Sequence, residues 1–317
     1  MPEIKRPRVV ADGPLDEAVM NGFGDRVELL DWEVALKGSD EPIDAVYTYG
    51  HPAVDGALMD RLPGLRIISN YGVGVDHINI PDAVERGIPV GNTPDVLIGA
   101  TADMGMALLL ASARRIVEGD RYARSPEFTR YDPGYMFGRE AHSSTLGIIG
   151  LGSIGSTVAR RALAFDMKVL YHNRRRREAV EQKLGVEYAS FDDLLSHSDY
   201  VMLCCPLTEA TSNLIDAAAL AKMKPTATLV NIARGGVVDT EALTQALIDK
   251  TIAAASLDVT EPEPLPRDHP LLKLDNVVLV PHLGSATIET RQGMADQSVE
   301  NLFLGLAGKP LLNEVKA

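Results

Sequence analysis

Cysteine is nearly missing from this chain. It has two in 317 residues, Cys204 and Cys205, adjacent inside an apolar run. That excludes a disulfide framework and predicts buried structural thiols. No apolar run is long enough to span a membrane, and the opening Met1-Pro-Glu-Ile-Lys-Arg-Pro-Arg lacks the apolar core of a signal peptide. The expectation is a cytoplasmic protein without membrane contact. An excess of positive charge is also lacking. Against 31 Lys and Arg stand 44 Asp and Glu, a net charge of -13. Such a surface repels a nucleic-acid backbone, so no nucleic-acid partner is expected. The 7 histidines show no metal-ligand spacing, and repeats and low-complexity stretches are absent.

What is present begins with Thr145-Leu-Gly-Ile-Ile-Gly150-Leu-Gly152-Ser153-Ile154-Gly155. A short β-type run feeds Gly-x-Gly-x-x-Gly, and a helical pattern follows over 157–165. This context marks a dinucleotide fingerprint. Gly150 permits the tight turn, and Gly152 lets backbone amides approach a pyrophosphate at the positive end of the helix. Gly155 lets helix and strand pack closely. A second strand, 168–171, follows. An acid about 20 residues past the glycines would bind the ribose 2′-hydroxyl of NAD. Here stand His172, Asn173 and then Arg174, Arg175, Arg176 and Arg177. Guanidinium groups grip a 2′-phosphate through charge-assisted hydrogen bonds. The cofactor expected is NADP(H), with NAD(H) as the second choice, and Arg174 is the foremost phosphate ligand. The plainer readings of the run are a solvated helix start or a nucleic-acid patch, and the net charge weakens the latter.

Short β-rich runs alternate with helical segments throughout, which predicts a doubly wound α/β architecture. Strands are expected over 8–10, 27–30, 45–49, 65–69 and 89–91, then over 146–149, 168–171, 200–205, 227–232, 253–257 and 277–280. The last six are the count of a complete dinucleotide-binding sheet. Residues 97–117 read as one long helix, too apolar for a surface position. A loop with Tyr122, Phe128, Tyr131, Tyr135 and Phe137 follows over 121–144, and a helix over 286–306 closes the chain. A central Rossmann dinucleotide-binding domain is therefore expected over 98–286, including a dimerisation helix and loop over 98–144. A discontinuous flavodoxin-like substrate domain takes 1–97 and 287–317, with the cleft between the two. The apolar helix and aromatic loop predict a homodimer, since soluble monomers rarely tolerate so large an apolar patch.

Three segments fall just after strands of the nucleotide domain, where open α/β sheets bind ligands. They are Asn231-Ile232-Ala233-Arg234-Gly-Gly, Asp258-Val-Thr-Glu261-Pro-Glu263-Pro, and Pro281-His282-Leu-Gly284-Ser285. Arg, a carboxylate and His suit reduction of a 2-oxo acid. The Arg clamps the substrate carboxylate, and the imidazolium protonates the carbonyl oxygen as hydride arrives. The carboxylate orients the ring. Spacing alone leaves Glu261 and Glu263 equal candidates, and each residue also has a plainer reading as a surface ion pair, loop charge or turn cap.

These motifs and the upstream Asn70-Tyr-Gly72-Val73-Gly74-Val-Asp76-His77, in this order and spacing, resemble the D-isomer-specific 2-hydroxyacid dehydrogenase family over nearly the whole chain. Within it, the 258–265 segment, Asn92-Thr-Pro-Asp-Val-Leu97 and the Asn-Arg after the second strand look most like glyoxylate/hydroxypyruvate reductases. The resemblance implies that Arg234 binds the substrate, that His282 is the acid/base and that Glu263 is its partner. Amides at Val73 and Gly74 would bind the substrate carboxylate, a role that suits a glycine-rich anion nest. Asp258 would face the nicotinamide amide, and Pro206 and Thr211 would line the adenosine side. Thr101, Ile232, Ala233, Gly284 and Ser285 would complete the cofactor site, with Arg234 and His282 at its edge. The loop tip at Tyr135, Met136 and Phe137 would reach toward a partner subunit's substrate cleft, the plainer reading being that its aromatics only pack the interface. One departure stands out: many relatives carry Arg at the position of Ser153. The reaction implied is NADPH-dependent reduction of glyoxylate and hydroxypyruvate to D-2-hydroxy acids. The alternatives are the same chemistry on a bulkier 2-oxo acid of the 4-hydroxyphenylpyruvate type, and a non-catalytic NADP(H)-sensing scaffold.

Overall fold

A computed structural model describes residues 6–316, so the first part of the segment read for a targeting signal lies outside the described residues. The chain divides into two compact units, Met1–Leu97 with Ala286–Ala317, and Ile98–Ser285.

The first unit is built on five parallel strands: β1 (Arg8–Ala11), β2 (Glu28–Asp31), β3 (Ala45–Thr48), β4 (Ile67–Asn70) and β5 (Val90–Gly91). Their order is β2-β1-β3-β4-β5, the flavodoxin-like arrangement. Every residue of β3 and β4 is buried, as strands covered by helices on both faces must be. The terminal helix Ile288–Leu306 packs on β3 and β4, and Thr287 caps its start by accepting from Thr290 N.

The second unit holds β6 (Thr145–Ile149), β7 (Lys168–His172), β8 (Glu187–Tyr188), β9 (Tyr200–Leu203), β10 (Thr228–Asn231), β11 (Ala254–Leu257) and β12 (Val277–Leu279). The order is β12-β11-β10-β9-β6-β7-β8, all pairs parallel. This is the doubly wound dinucleotide-binding sheet, with its switch point between β6 and β9. Seven strands form it rather than the six expected. The extra one, β8, has two exposed residues at the sheet edge, and an exposed edge needs no apolar run. β9 also stops at Leu203, before the two cysteines.

The apolar stretch 97–117 is likewise two helices, Ile98–Ala113 and Ile116–Ala123, not one. Arg115 breaks it in the left-handed region, φ 52°, and its guanidinium folds onto Glu118. The first helix buries Ala102, Met106, Leu108 and Leu109 in the sheet's core. Beyond the second helix Tyr131, Tyr135 and Phe137 are 81%, 52% and 76% exposed. Among the described residues no helix is long and apolar enough to cross a membrane.

Candidate active site

The glycine turn follows β6. Gly150 takes φ 101°. A side chain at Gly155 would put its first carbon 2.1 Å from the Gly150 carbonyl oxygen, so only glycine lets the helix Ser153–Ala164 start so close to the strand. Around Gly152, by contrast, nothing lies within 4 Å of where a Cβ would project. The first helical hydrogen bond is Ser156 N to Gly152 O, so the Ser153, Ile154 and Gly155 amides are the open donors of a helix start. An open cradle of amides at a positive helix end fits a pyrophosphate.

The cradle opens into a cleft of about 1080 Å³. Asn173, Arg174, Arg175, Arg176, Arg177, Pro206 and Thr211 line it. Here the four arginines separate. Arg176 is committed to Glu181 through two 2.8 Å hydrogen bonds. Glu181 also accepts from the Tyr171 hydroxyl, and these donors hold its carboxyl down at about 2. Arg177 donates to the Leu151 carbonyl oxygen at 2.8 Å. Arg174 and Arg175 are exposed and make no hydrogen bond or ion pair among the described residues. Asn173 holds the glycine turn by accepting from Leu151 N at 2.7 Å. The Thr211 hydroxyl donates to Pro206 O at 2.6 Å, fixing the opposite wall. Cys204 and Cys205 line the same cleft and form no disulfide. Burial pushes the Cys205 thiol up to about 11.

At the C-terminal ends of β10, β11 and β12 lie the three segments singled out above. After β10, Asn231 closes a turn: its Nδ2 donates to Arg234 O, and its Oδ1 accepts from Ala233 N. Ile232 is buried beside it. Arg234 starts a short helical turn, Gly235–Val237. A Cβ on Gly235 would fall 2.0 Å from the Thr260 carbonyl, so this glycine lets the Arg234 turn press on the segment after β11.

That segment starts at Asp258, 2% exposed. Burial raises its carboxyl, against the lowering influence of the Leu283 amide and of the charge on His282. Its oxygens accept from Leu283 N at 2.6 Å and Gly284 N at 2.9 Å. Asp258 therefore clamps the turn that carries His282, a role the sequence did not reveal. Thr101 packs against this turn, its Cγ2 3.5 Å from where a Gly284 side chain would begin, and Ser285 follows directly. His282 takes φ 54°, a region that non-glycine residues enter rarely. Its Nδ1 lies 2.9 Å from Glu263 Oε1. Glu261, the other candidate of the loop, is used differently: its backbone carbonyl accepts from the Thr240 hydroxyl.

In the first unit, the turn after β4 carries Val73 and Gly74. Asn70 Nδ2 donates to the carbonyls of Gly72 and Gly74, and Asn92 Nδ2 donates to that of Val73. All three carbonyls are thereby occupied. Among the described residues neither the Val73 nor the Gly74 N–H donates a hydrogen bond, which leaves two adjacent amides as an anion nest.

Comparison with known proteins agrees with this geometry. Residues 106–284 match the family described as D-isomer specific 2-hydroxyacid dehydrogenase, NAD binding domain. Glyoxylate reductase of Pyrococcus horikoshii is 47% identical over 292 residues, covering 91% of this chain and 86% of that protein. That of Pyrococcus furiosus is 44% identical over 309 residues, covering 94% and 92%. Among solved structures, the NADPH-dependent glyoxylate/hydroxypyruvate reductase of Sinorhizobium meliloti, in complex with NADP and malonate, superposes with TM-score 0.90. It is 32% identical and covers 98% of this chain and 97% of that one.

Proposed function

The chain belongs to the D-isomer-specific 2-hydroxyacid dehydrogenase family, and within it we propose an NADPH-dependent reductase of glyoxylate and hydroxypyruvate, yielding glycolate and D-glycerate. The supporting observation is the 2.9 Å contact between His282 and Glu263 at the ligand-binding edge of a parallel sheet. Similarity to glyoxylate reductases favours the substrate.

The Ser153, Ile154 and Gly155 amides take the cofactor pyrophosphate. Arg174 and Arg175, which alone of the four have no partner among the described residues, take the 2′-phosphate. Asn173 shapes the turn between them, while Pro206, Thr211, Thr101, Ile232, Ala233, Gly284 and Ser285 line the rest. Bound there, reduced nicotinamide supplies the hydride. Arg234 binds the substrate carboxylate, and the Val73 and Gly74 amides offer carboxylate-binding donors of their own. His282 gives its proton to the carbonyl oxygen, and Glu263 steadies the charged ring and its tautomer. Asp258 holds the His282 turn and would face the nicotinamide amide. The exposed Tyr131, Tyr135 and Phe137 belong to a homodimer interface, where Tyr135 would limit substrate size.

A screen of 2-oxo acids with NADPH and with NADH, followed by nicotinamide absorbance, tests the proposal. Glyoxylate and hydroxypyruvate should be reduced, with NADPH the better donor. Preference for an aryl pyruvate would favour the bulkier-substrate reading. Cofactor binding without turnover on any 2-oxo acid would favour a sensing scaffold.

A further inference from the structure

Ser153 has no side chain long enough to send a positive charge across the glycine turn, yet a guanidinium already lies there. Arg177 comes from the far end of the segment after β7. Its Nη1 donates to the carbonyl oxygen of Leu151, 2.8 Å away. Leu151 sits between Gly150 and Gly152, whose open side is the amide cradle. The position of Arg177 is fixed at its backbone as well, because its N–H donates to the Tyr171 hydroxyl at 2.8 Å. That hydroxyl belongs to a fully buried ring and donates in turn to Glu181, which pins Arg176. The other polar group of Leu151, its N–H, is held by Asn173. Both backbone groups of one turn residue are therefore tied to the segment after β7.

We propose that Arg177 is the pyrophosphate-binding cation of this enzyme, reaching the glycine turn from the side opposite Ser153. One N–H is spent on Leu151 O, and the guanidinium keeps four further donors, in a planar fork suited to phosphate oxygens. The same contact fixes the turn that presents the amides. Arg177 thus acts on the part of the cofactor that NADPH and NADH share, whereas Arg174 and Arg175 act on the part in which they differ. The inference rests on nucleotide binding at the glycine turn, not on the choice of NADPH or on the substrate.

The test is binding to the full-length protein by calorimetry or nicotinamide fluorescence, with NADPH, NADH, ADP and AMP as probes. In Arg177→Ala, Kd for NADPH, NADH and ADP should each rise about tenfold or more, the loss of a charge-assisted contact. AMP, which lacks the pyrophosphate, should change much less, and the NADPH/NADH ratio of Kd values should stay constant. Introducing Ser153→Arg into the Arg177→Ala background should recover most of the lost ADP affinity, since it returns a guanidinium to the same phosphates. A fall in NADPH affinity alone would make Arg177 another 2′-phosphate ligand and overturn the proposal. Equal losses for ADP and AMP, or no recovery with Ser153→Arg in a variant whose melting temperature is unchanged, would overturn it too. Failure of the unmodified protein to bind any of the four probes would instead reject the nucleotide site itself.

Discussion

Replacing Arg174 with Ala should erase most of the preference for NADPH, and replacing Arg176 should not. The two side chains are two residues apart in one cleft and carry the same charge, so charge alone predicts similar effects. The structure separates them. Arg176 is held by both oxygens of Glu181, at 2.8 Å each, and this pair has no net charge to offer a 2′-phosphate. Arg174 has no such partner among the described residues. A charge-assisted hydrogen bond to phosphate is worth about 1.5–3 kcal/mol, which is roughly ten- to a hundredfold in kcat/KM. Arg174→Ala should lower kcat/KM for NADPH by that factor while NADH changes little. Arg176→Ala removes a charge that is already neutralised. Contributions at this level stay below about 1 kcal/mol, so the NADPH/NADH ratio should hold within about fivefold. The assay is steady-state kinetics with each nicotinamide at saturating 2-oxo acid, on unmodified protein and both variants. An Arg176→Ala ratio that falls as far as that of Arg174→Ala would refute the division of labour. So would equal Michaelis constants for the two cofactors in the unmodified protein.

His282→Ala should cut turnover by about 10²- to 10⁴-fold with the NADPH Kd kept, the usual contribution of a placed acid/base. Glu263→Gln should lower kcat far more than Glu261→Gln, because only Glu263 reaches the imidazole; the reverse order would reassign the loop. Glu181→Gln should lower the melting temperature at neutral pH. The carboxyl is held at about 2 against an ordinary 4.5, chiefly by Arg176. Its stabilisation is therefore complete above pH 4.5 and lost as pH falls through about 2, and the gap between variant and unmodified protein should close over that window. A gap that persists at pH 2 would show that lost packing, not charge, caused it. Light scattering at micromolar concentration should give about twice 34.2 kDa, and a monomer mass would leave the exposed aromatics of 128–137 without the interface proposed for them.

How much of this was legible in the sequence depended on what fixes each residue's role. The central strands were readable because a parallel strand covered on both faces is buried along its length, so Tyr200–Leu203 is apolar throughout. β8 escaped because its two residues sit exposed at an edge. The break at Arg115 escaped because no glycine or proline marks it; an arginine in the left-handed region looks like any other residue in an apolar stretch. In the nucleotide site, Gly155 was readable because its role is steric exclusion, and a 2.1 Å approach admits one residue type. The sequence put Arg174 foremost by its position alone; that Arg176 is instead taken up by Glu181 is visible only once the helix Glu178–Leu184 is in place. The same holds for Asp258. Its position after a strand was visible, but its grip on the Leu283 and Gly284 amides spans more than twenty residues and needs β12 to return beside β11. A role set by excluded volume is written into one residue, whereas a role set by a partner exists only once the fold has brought the two together. In this site Gly155 and Gly235 are of the first kind, and the commitment of Arg176 to Glu181 and of Glu263 to His282 is of the second.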